Sequence, residues 1–140
     1  MNQEYTISTD KTKLDLAVIH RFLSQEAYWS LNIPVDIVQR SIDNSLCFGV
    51  YLGEEQIGFA RVVTDTATFG YLADVFILPE HRGKGLSKRL AAFILDYPSL
   101  QGLRRIMLVT RDAHGLYERF GFQPIENPEN TLSIKSFTSY

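Results

Sequence analysis

At residues 79–87 the sequence reads Pro79-Glu80-His81-Arg82-Gly83-Lys84-Gly85-Leu86-Ser87. The apolar run Ala73 to Leu78 comes directly before this stretch, and apolar residues at helical spacing follow it: Leu86, Leu90, Phe93, Ile94 and Tyr97. The pattern predicts a strand, a glycine turn and the start of a helix. Because glycines bring backbone N–H groups close to a ligand and a helix N-terminus favours an anion, we expect a phosphate site. A plain surface turn before a helix would fit these residues nearly as well.

Two common phosphate loops do not fit the spacing of these glycines. A Walker loop separates its first glycine from Gly-Lys-Ser/Thr by four residues, whereas a single residue, Lys84, separates Gly83 from Gly85. A dinucleotide fingerprint places a third glycine where this chain has Lys88. Binding of ATP, GTP or NAD is therefore disfavoured.

The loop Arg82-Gly83-Lys84-Gly85-Leu86-Ser87 resembles the Arg-x-x-Gly-x-Gly/Ala loop of the GNAT superfamily of N-acetyltransferases. In that superfamily the loop cradles the pyrophosphate of acetyl-coenzyme A (acetyl-CoA). The departure is Ser87 in the last small position, where a hydroxyl can cap the helix or touch a phosphate. The resemblance implies that the cofactor-binding residues include Arg82, Gly83, Lys84, Gly85, Leu86 and Ser87.

A second stretch strengthens this resemblance. Residues Arg105 to Thr110 read as a buried strand, and Asp112 is placed to cap a helix that Gly121 ends. The helix carries Ala113, Leu116, Tyr117 and Phe120 at i, i+3, i+4 and i+7. This segment resembles the second GNAT signature, a strand ending in Asn, then Ala, Leu-Tyr and Gly-Phe. Thr110 stands in place of the usual asparagine, and its hydroxyl is expected to take over the contact with the pantetheine arm.

By resemblance, Tyr117 is the proton donor for the leaving thiol, since a phenol stays protonated at neutral pH. Its helical spacing alone favours a core tyrosine, and the match of the whole signature favours the proton donor. Asp74, a carboxylate in an apolar strand, is a candidate general base, against the alternatives of a hydrogen-bonded structural aspartate and of deprotonation through water. The resemblance also implies that the strand backbone before the loop contacts the cofactor, at Phe76, Ile77 and Leu78.

The acceptor pocket of this superfamily lies mostly between the first two helices. Here that segment contains Glu26, Tyr28 and Trp29, and Tyr71 is expected to supply another wall. An aromatic pair beside a carboxylate favours a cationic amine with a flat or apolar body. The alternative is that Trp29 packs at the corner between the helices.

Composition narrows the class of protein. The chain has 140 residues, 45% hydrophobic and 21% charged, which suits a single domain, residues 1–140, with one core. A net charge of −2 provides no broad basic field, so we expect binding to neither nucleic acid nor membranes. No apolar stretch is long enough for a membrane span or a signal peptide, which predicts a cytoplasmic protein. A homodimer is left open.

The metal-binding residue types show no ligand pattern. Cys47 is the single cysteine, which excludes an internal disulfide, and its apolar strand predicts a buried structural thiol. His20, His81 and His114 share no metal-ligand spacing. No metal is therefore predicted.

The order of predicted elements indicates an α/β (α+β) fold, with a mixed, mostly antiparallel sheet flanked by helices on both faces, as in the GNAT fold. The predicted helices before the glycine loop are Leu14–Ser24 and one that starts at Pro34 and buries Val35, Val38 and Ile42. The predicted strands outside the two signatures are Tyr5–Ser8, Leu46–Leu52, Gln56–Thr64, Thr68–Leu78, Gln123–Ile125 and Thr131–Lys135.

Two functions follow from the resemblance. The favoured one is an acetyl-CoA-dependent N-acetyltransferase acting on a primary amine of a small molecule or a protein. The alternative is a non-catalytic module that binds coenzyme A as a sensor or regulator. Tyr117 favours the enzyme.

Overall fold

The computed structural model describes residues 4–140. Its strands are β1 (Tyr5–Ser8), β2 (Leu46–Leu52), β3 (Glu55–Thr64), β4 (Phe69–Ile77) and β5 (Arg105–Leu108). Its α-helices are α1 (Leu16–Gln25), α2 (Val35–Asp43), α3 (Leu86–Leu95) and α4 (His114–Glu118).

The strands form one sheet in the order β1-β2-β3-β4-β5. Neighbours from β1 to β4 are antiparallel, and β4 and β5 are parallel. A parallel pair needs a crossover connection, which α3 supplies. The predicted mixed, mostly antiparallel sheet is confirmed, as is the edge strand Tyr5–Ser8.

The sheet separates two apolar clusters, because successive strand residues face opposite sides. On one face, α1 and α2 pack Ile19, Phe22, Leu23, Val38 and Ile42 against Cys47, Phe59 and Phe76. On the other face, α3 and α4 pack Leu86, Leu90, Ile94 and Tyr117 against Phe48, Val50, Ile57 and Val62. Helices therefore cover both faces, as predicted, but they form two clusters where composition had suggested one core. Cys47 is buried, as expected.

The ends of α1 and α2 follow local sequence. Asp15 caps α1 by accepting hydrogen bonds from the N–H groups of Ala17 and Val18. Pro34 directly precedes α2. The prediction that Val35 is buried is wrong, because it lies in the first turn on the outer side and is 47% exposed.

The C-terminal part of the chain departs most from the predictions. β5 ends at Leu108 instead of Thr110, and α4 has only five residues. Asp112 does not cap α4. The hydroxyl of Thr110 instead accepts a hydrogen bond from the N–H of Ala113, the residue just before the helix. The predicted strands Gln123–Ile125 and Thr131–Lys135 are not formed, because neither segment pairs with the sheet.

Candidate active site

The cleft of this protein opens where β4 and β5 separate. The two strands pair from Phe69 opposite Arg105 to Leu72 opposite Leu108, and no pairing continues beyond that point. β4 continues for five more residues to Ile77, paired only with β3. The backbone of this second half of β4 is therefore exposed on the side from which β5 has departed.

A bulge at Asp74 marks this separation. Phe59 pairs with Phe76 and Arg61 with Ala73, so two residues of β4 lie opposite the single Ala60. Asp74 has a φ of +55°, in the left-handed region that non-glycine residues seldom adopt. The bulge bends β4 and turns the Asp74 side chain toward the α1–α2 segment.

The glycine loop lies at the far end of β4. Gly83 and Gly85 have φ values of +80° and +75°, and Gly85 directly precedes α3. A Cβ placed on either glycine would meet no atom within 4 Å. Glycine is thus required here by backbone conformation, and the space above the loop is open. A hollow of about 180 Å³ adjoins the loop, lined partly by Ser87, Lys88 and Leu116.

Several predicted cofactor residues already have roles within the protein. The Arg82 Nε donates to the carbonyl of Ile77 at 2.9 Å and so holds the loop against the end of β4. The N–H of Leu78 donates to the carbonyl of Ile57 at 2.8 Å, which turns it toward β3. Since neighbouring strand residues face opposite ways, the N–H of Ile77 is directed to the cleft. Phe76 contributes its ring to the core, stacked on Phe22.

Tyr117 connects the two ends of the cleft. Its neighbour Leu116 lines the hollow at the glycine loop, while Tyr117 itself lines the larger cleft beside Thr110. The side chain is 8% exposed, and burial raises the pKa of its phenol. Among residues 4–140, no group hydrogen-bonds to its hydroxyl. Tyr117 therefore lines the cleft and carries a protonated hydroxyl without a partner among the described residues.

The larger cleft has a volume of about 500 Å³ and lies between the α1–α2 segment, β4 and the β5–α4 loop. Three of the residues predicted to bind the acceptor line it together with Asp74, namely Tyr28, Trp29 and Tyr71. Residues from the first and last thirds of the chain therefore meet at this cleft.

Asp74 is the centre of a polar network in the cleft. Its Oδ1 accepts a hydrogen bond from the indole Nε1 of Trp29 at 2.8 Å, and its Oδ2 pairs with the Arg61 Nε at 2.6 Å. Arg61 also donates to the hydroxyl of Ser45. Both carboxylate oxygens are thus occupied, which fixes the edge of the Trp29 ring even though the residue is 44% exposed.

Sequence reasoning missed Arg111 and Asp112, which follow β5. The Arg111 guanidinium lies 3.7 Å from the centre of the Tyr28 ring, a cation–π contact with a residue that lines the cleft. Asp112 lines the cleft, is exposed and forms no ion pair with any described residue. The only signal in the sequence was the position of both residues after a strand end, where binding residues often occur.

Glu26 is not brought into the cleft. It ends α1, where its N–H donates to the carbonyl of Phe22, and its side chain is exposed. The chain turns inward directly after it, because Ala27 is buried and the Ser30 hydroxyl donates to the carbonyl of Leu23. A different carboxylate, that of Asp112, lines the cleft.

Residues 4–140 contain neither a metal-binding cluster nor a membrane-spanning helix. No cluster of three or more His, Cys, Asp or Glu side chains is arranged to hold a metal ion. None of the helices in this range has the length and apolar character needed to cross a membrane.

Comparison with known proteins places this arrangement among acetyltransferases. The sequence matches the acetyltransferase (GNAT) family over residues 16–122. A predicted acetyltransferase of that family from Xanthomonas campestris pv. campestris, known from its crystal structure, is 52% identical with a TM-score of 0.92. The match covers 94% of this chain and 93% of that one. The predicted acetyltransferase FG08082 of Gibberella zeae is 35% identical over 136 residues, 81% of this chain and 76% of that protein.

A more distant solved structure shares the fold. It is a predicted acetyltransferase from Clostridium acetobutylicum crystallised with acetyl-CoA, 15% identical with a TM-score of 0.69, and the match covers 96% of each chain.

Proposed function

The chain belongs to the acetyltransferase (GNAT) family and is an N-acetyltransferase, and from that premise we propose that it acetylates the primary amine of a small cationic molecule. The donor is acetyl-CoA, the family's acetyl source. The neutral amine attacks the thioester carbonyl directly, so an N–C bond forms, the C–S bond breaks, and the departing sulfur takes a proton. The unpaired hydroxyl of Tyr117, between the glycine loop and the larger cleft, is the observation that carries this proposal.

The glycine loop fits the pyrophosphate of the donor. The open space above Gly83 and Gly85 lets their backbone approach a phosphate, and the N-terminus of α3 favours the negative charge. Lys84 and Lys88 add positive charge at the loop, and the Ser87 hydroxyl is a further donor. The acetyl-CoA bound by the Clostridium acetobutylicum protein supports this assignment.

The exposed edge of β4 fits the pantetheine arm of the donor. Beyond Leu72 this edge no longer pairs with β5, and the N–H of Ile77 points out from this open edge. Amides in the arm can pair with such an edge as an added strand would. We therefore assign the donor contact to the Ile77 backbone, with Arg82 holding the loop in place.

Tyr117 is the proton source for the leaving sulfur. An ordinary phenol has a pKa of about 10, and burial raises the pKa of this one further. It therefore keeps its proton at neutral pH until a thiolate, a stronger base than water, forms beside it.

Asp74 acts as a positioning residue. Because its two oxygens accept hydrogen bonds from Trp29 and Arg61, it holds the aromatic wall in place, and we assign it this role in preference to that of a base. Deprotonation of the amine then passes through water.

The acceptor is a cation with a flat or apolar body. Tyr28, Trp29 and Tyr71 provide aromatic surface, and the Asp112 carboxylate, which forms no ion pair with any residue of the range 4–140, attracts the ammonium form. Arg111 over Tyr28 would repel a second positive charge near that ring, which favours a monocation.

The test is release of free thiol from acetyl-CoA with a panel of amines. We expect kcat/KM for aromatic or cyclic monoamines to exceed kcat/KM for acidic amines of the same size by about tenfold or more. Asp112→Asn should make this ratio smaller. Thiol release no faster than hydrolysis with every amine would contradict the small-molecule proposal, and a preference for acidic amines would contradict the assignment to Asp112.

A further inference from the structure

Tyr140 brings an aromatic side chain from the C-terminal segment to the larger cleft. It lines the cleft together with Tyr28, Trp29 and Tyr71, the aromatic residues assigned above to the acceptor. Tyr140 is 43% exposed, close to the 44% of Trp29, whereas Tyr117 in the same cleft is 8% exposed. Tyr117 therefore lies in the inner part of the cleft, and Tyr140 lies where the cleft meets solvent.

The segment that carries Tyr140 passes over the end of β5. Residues 132–140, which we call the strap, follow Thr131, and Thr131 lines a trough of about 610 Å³ beside β5. The trough and the larger cleft share three consecutive lining residues of the chain, namely Leu108, Val109 and Thr110. The strap therefore runs from the trough to the cleft of its own molecule.

The strap has few contacts with the rest of the domain. It contains no helix or strand, and within residues 4–140 no hydrogen bond joins it to the remainder of the domain. The side chains of Leu132 and Ile134 are almost fully exposed. Phe137 meets the ring of Tyr140 edge to face, with the ring centres 5.1 Å apart. The Tyr140 ring, supported by Phe137, is therefore the part of the strap that lines the cleft.

We propose that Tyr140 forms the outer wall of the acceptor site and limits the length of the amine that the enzyme acetylates. The inference rests on the function proposed above, in which the amine reacts beside Tyr117 in the inner part of the cleft. The apolar body of the bound amine then extends outward, toward the aromatic ring of Tyr140. A short amine contacts this ring, whereas a longer amine must displace it.

Selection by this wall is expected to be graded. Because no hydrogen bond within residues 4–140 holds the strap to the domain, displacing Tyr140 disrupts side-chain contacts and leaves the sheet intact. A longer amine should therefore bind more weakly without being excluded. The hydroxyl of Tyr140 has no hydrogen-bond partner among the described residues, so the ring forms the wall. Tyr140→Phe should keep the wall, and Tyr140→Ala should remove it.

The experiment compares two amines with the same ammonium group, benzylamine and the longer 4-phenylbenzylamine. Trp29 is the single tryptophan of the chain and lines the same cleft, so its fluorescence reports binding. The titrations contain coenzyme A, which has no acetyl group to transfer. We expect the wild type to bind benzylamine about tenfold more tightly than the longer amine. In Tyr140→Ala benzylamine should bind more weakly and the longer amine more tightly, which lowers this ratio by about tenfold or more.

Two further variants keep the ring and should keep the wild-type ratio. Tyr140→Phe deletes only the hydroxyl. Ile134→Ala is the matched control, because it shortens an apolar side chain of the same strap that is 95% exposed and lines neither cavity.

Each other outcome counts against the proposal. An unchanged ratio in Tyr140→Ala would show that the ring does not select by length, and an equal change for both amines would show that it competes with every acceptor. A lowered ratio in Tyr140→Phe would assign the effect to the hydroxyl. No fluorescence response to either amine up to about 10 mM would remove the acceptor from this cleft.

Thiol release from acetyl-CoA separates this proposal from the proposed function. If neither amine releases thiol but the binding ratio still falls in Tyr140→Ala, the wall is retained and the small-molecule function is rejected. If both amines release thiol and the ratio does not change, the function is retained and the wall is rejected.

Discussion

The two halves of the active-site cleft are built in different ways. The donor half consists of backbone, namely the left-handed glycines of the loop, the N-terminus of α3 and the free edge of β4. The acceptor half consists of side chains from distant parts of the chain, joined through Trp29 to Asp74 and Tyr28 to Arg111. The donor half therefore depends on local conformation, whereas the acceptor half depends on tertiary contacts that single substitutions can alter.

The donor half should lose its affinity for acetyl-CoA when the glycine loop cannot adopt its left-handed backbone conformation. We expect Gly85→Val to lower acetyl-CoA affinity more than 100-fold in isothermal titration calorimetry, because a β-branched residue strains a φ of +75° and its side chain fills the space of the phosphate.

The matched control for this change is Gly53→Val. Gly53 has a φ of +61°, lies in the β2–β3 turn and also has open space around its Cβ position. It should show the same loss of stability with unchanged affinity. If both variants bind acetyl-CoA equally, the glycine loop is not the donor site.

Tyr117 lies between the halves, so removal of its hydroxyl should affect the binding of neither acetyl-CoA nor the acceptor. We expect Tyr117→Phe to lower kcat by about 10²-fold while acetyl-CoA affinity and the melting temperature stay nearly constant. Tyr97→Phe is the control, since it deletes a hydroxyl that bonds Thr9 outside the cleft. Full activity of Tyr117→Phe would reduce this residue to a structural role.

The acceptor half should respond with a smaller, one-sided loss. Trp29→Phe keeps an aromatic ring and removes the donor to Asp74, so the acceptor KM should rise about three- to tenfold while acetyl-CoA affinity is unchanged. Asp74→Asn should raise the same KM. The loss of acceptor-binding free energy in the double variant should be smaller than the sum of the losses in the two single variants. A fall in kcat above 10²-fold for Asp74→Asn alone would instead identify Asp74 as a general base.

A change far from both halves should leave activity intact. The Tyr51 hydroxyl in β2 is buried and has no hydrogen-bond partner within residues 4–140, so Tyr51→Phe should raise the free energy of unfolding by about 1 kcal/mol. Urea denaturation measures this difference. A loss of stability would show that the hydroxyl finds a partner in solution.

The same variant has a predicted pH dependence. Burial raises the pKa of Tyr51 to about 12, above the value of about 10 for an unfolded tyrosine. The unfolded chain therefore releases this proton first, and the wild type loses stability as the pH rises from about 10 to about 12. Tyr51→Phe should lack this part of the alkaline loss.

The difference between the halves also explains what sequence could predict. The glycine loop, β2 and the edge strand β1 follow from residues adjacent in the chain, so β1 and β2 were predicted with their observed bounds. Glu26 was assigned to the acceptor pocket but lies outside the lining of the cleft, whereas Arg111 and Asp112 were missed, because the places of all three depend on how the α1–α2 segment packs against the β5–α4 loop. The predicted strand at Thr131–Lys135 has the right pattern, but the pattern alone does not determine whether a segment pairs with a free strand edge, and β5 remains the edge strand of the sheet.

The contact between Arg111 and Tyr28 has a consequence for how the cleft is assembled and opened. It joins segments separated by most of the chain, so closing it costs conformational entropy that a single cation–π contact of about 0.5–2 kcal/mol only partly offsets. The helix that follows Arg111 has only five residues and can fray while the sheet stays intact. Fraying would release Arg111 from Tyr28 and would also move Tyr117, which lies in this helix. The acetylated product would then have an exit that requires no movement of the donor half.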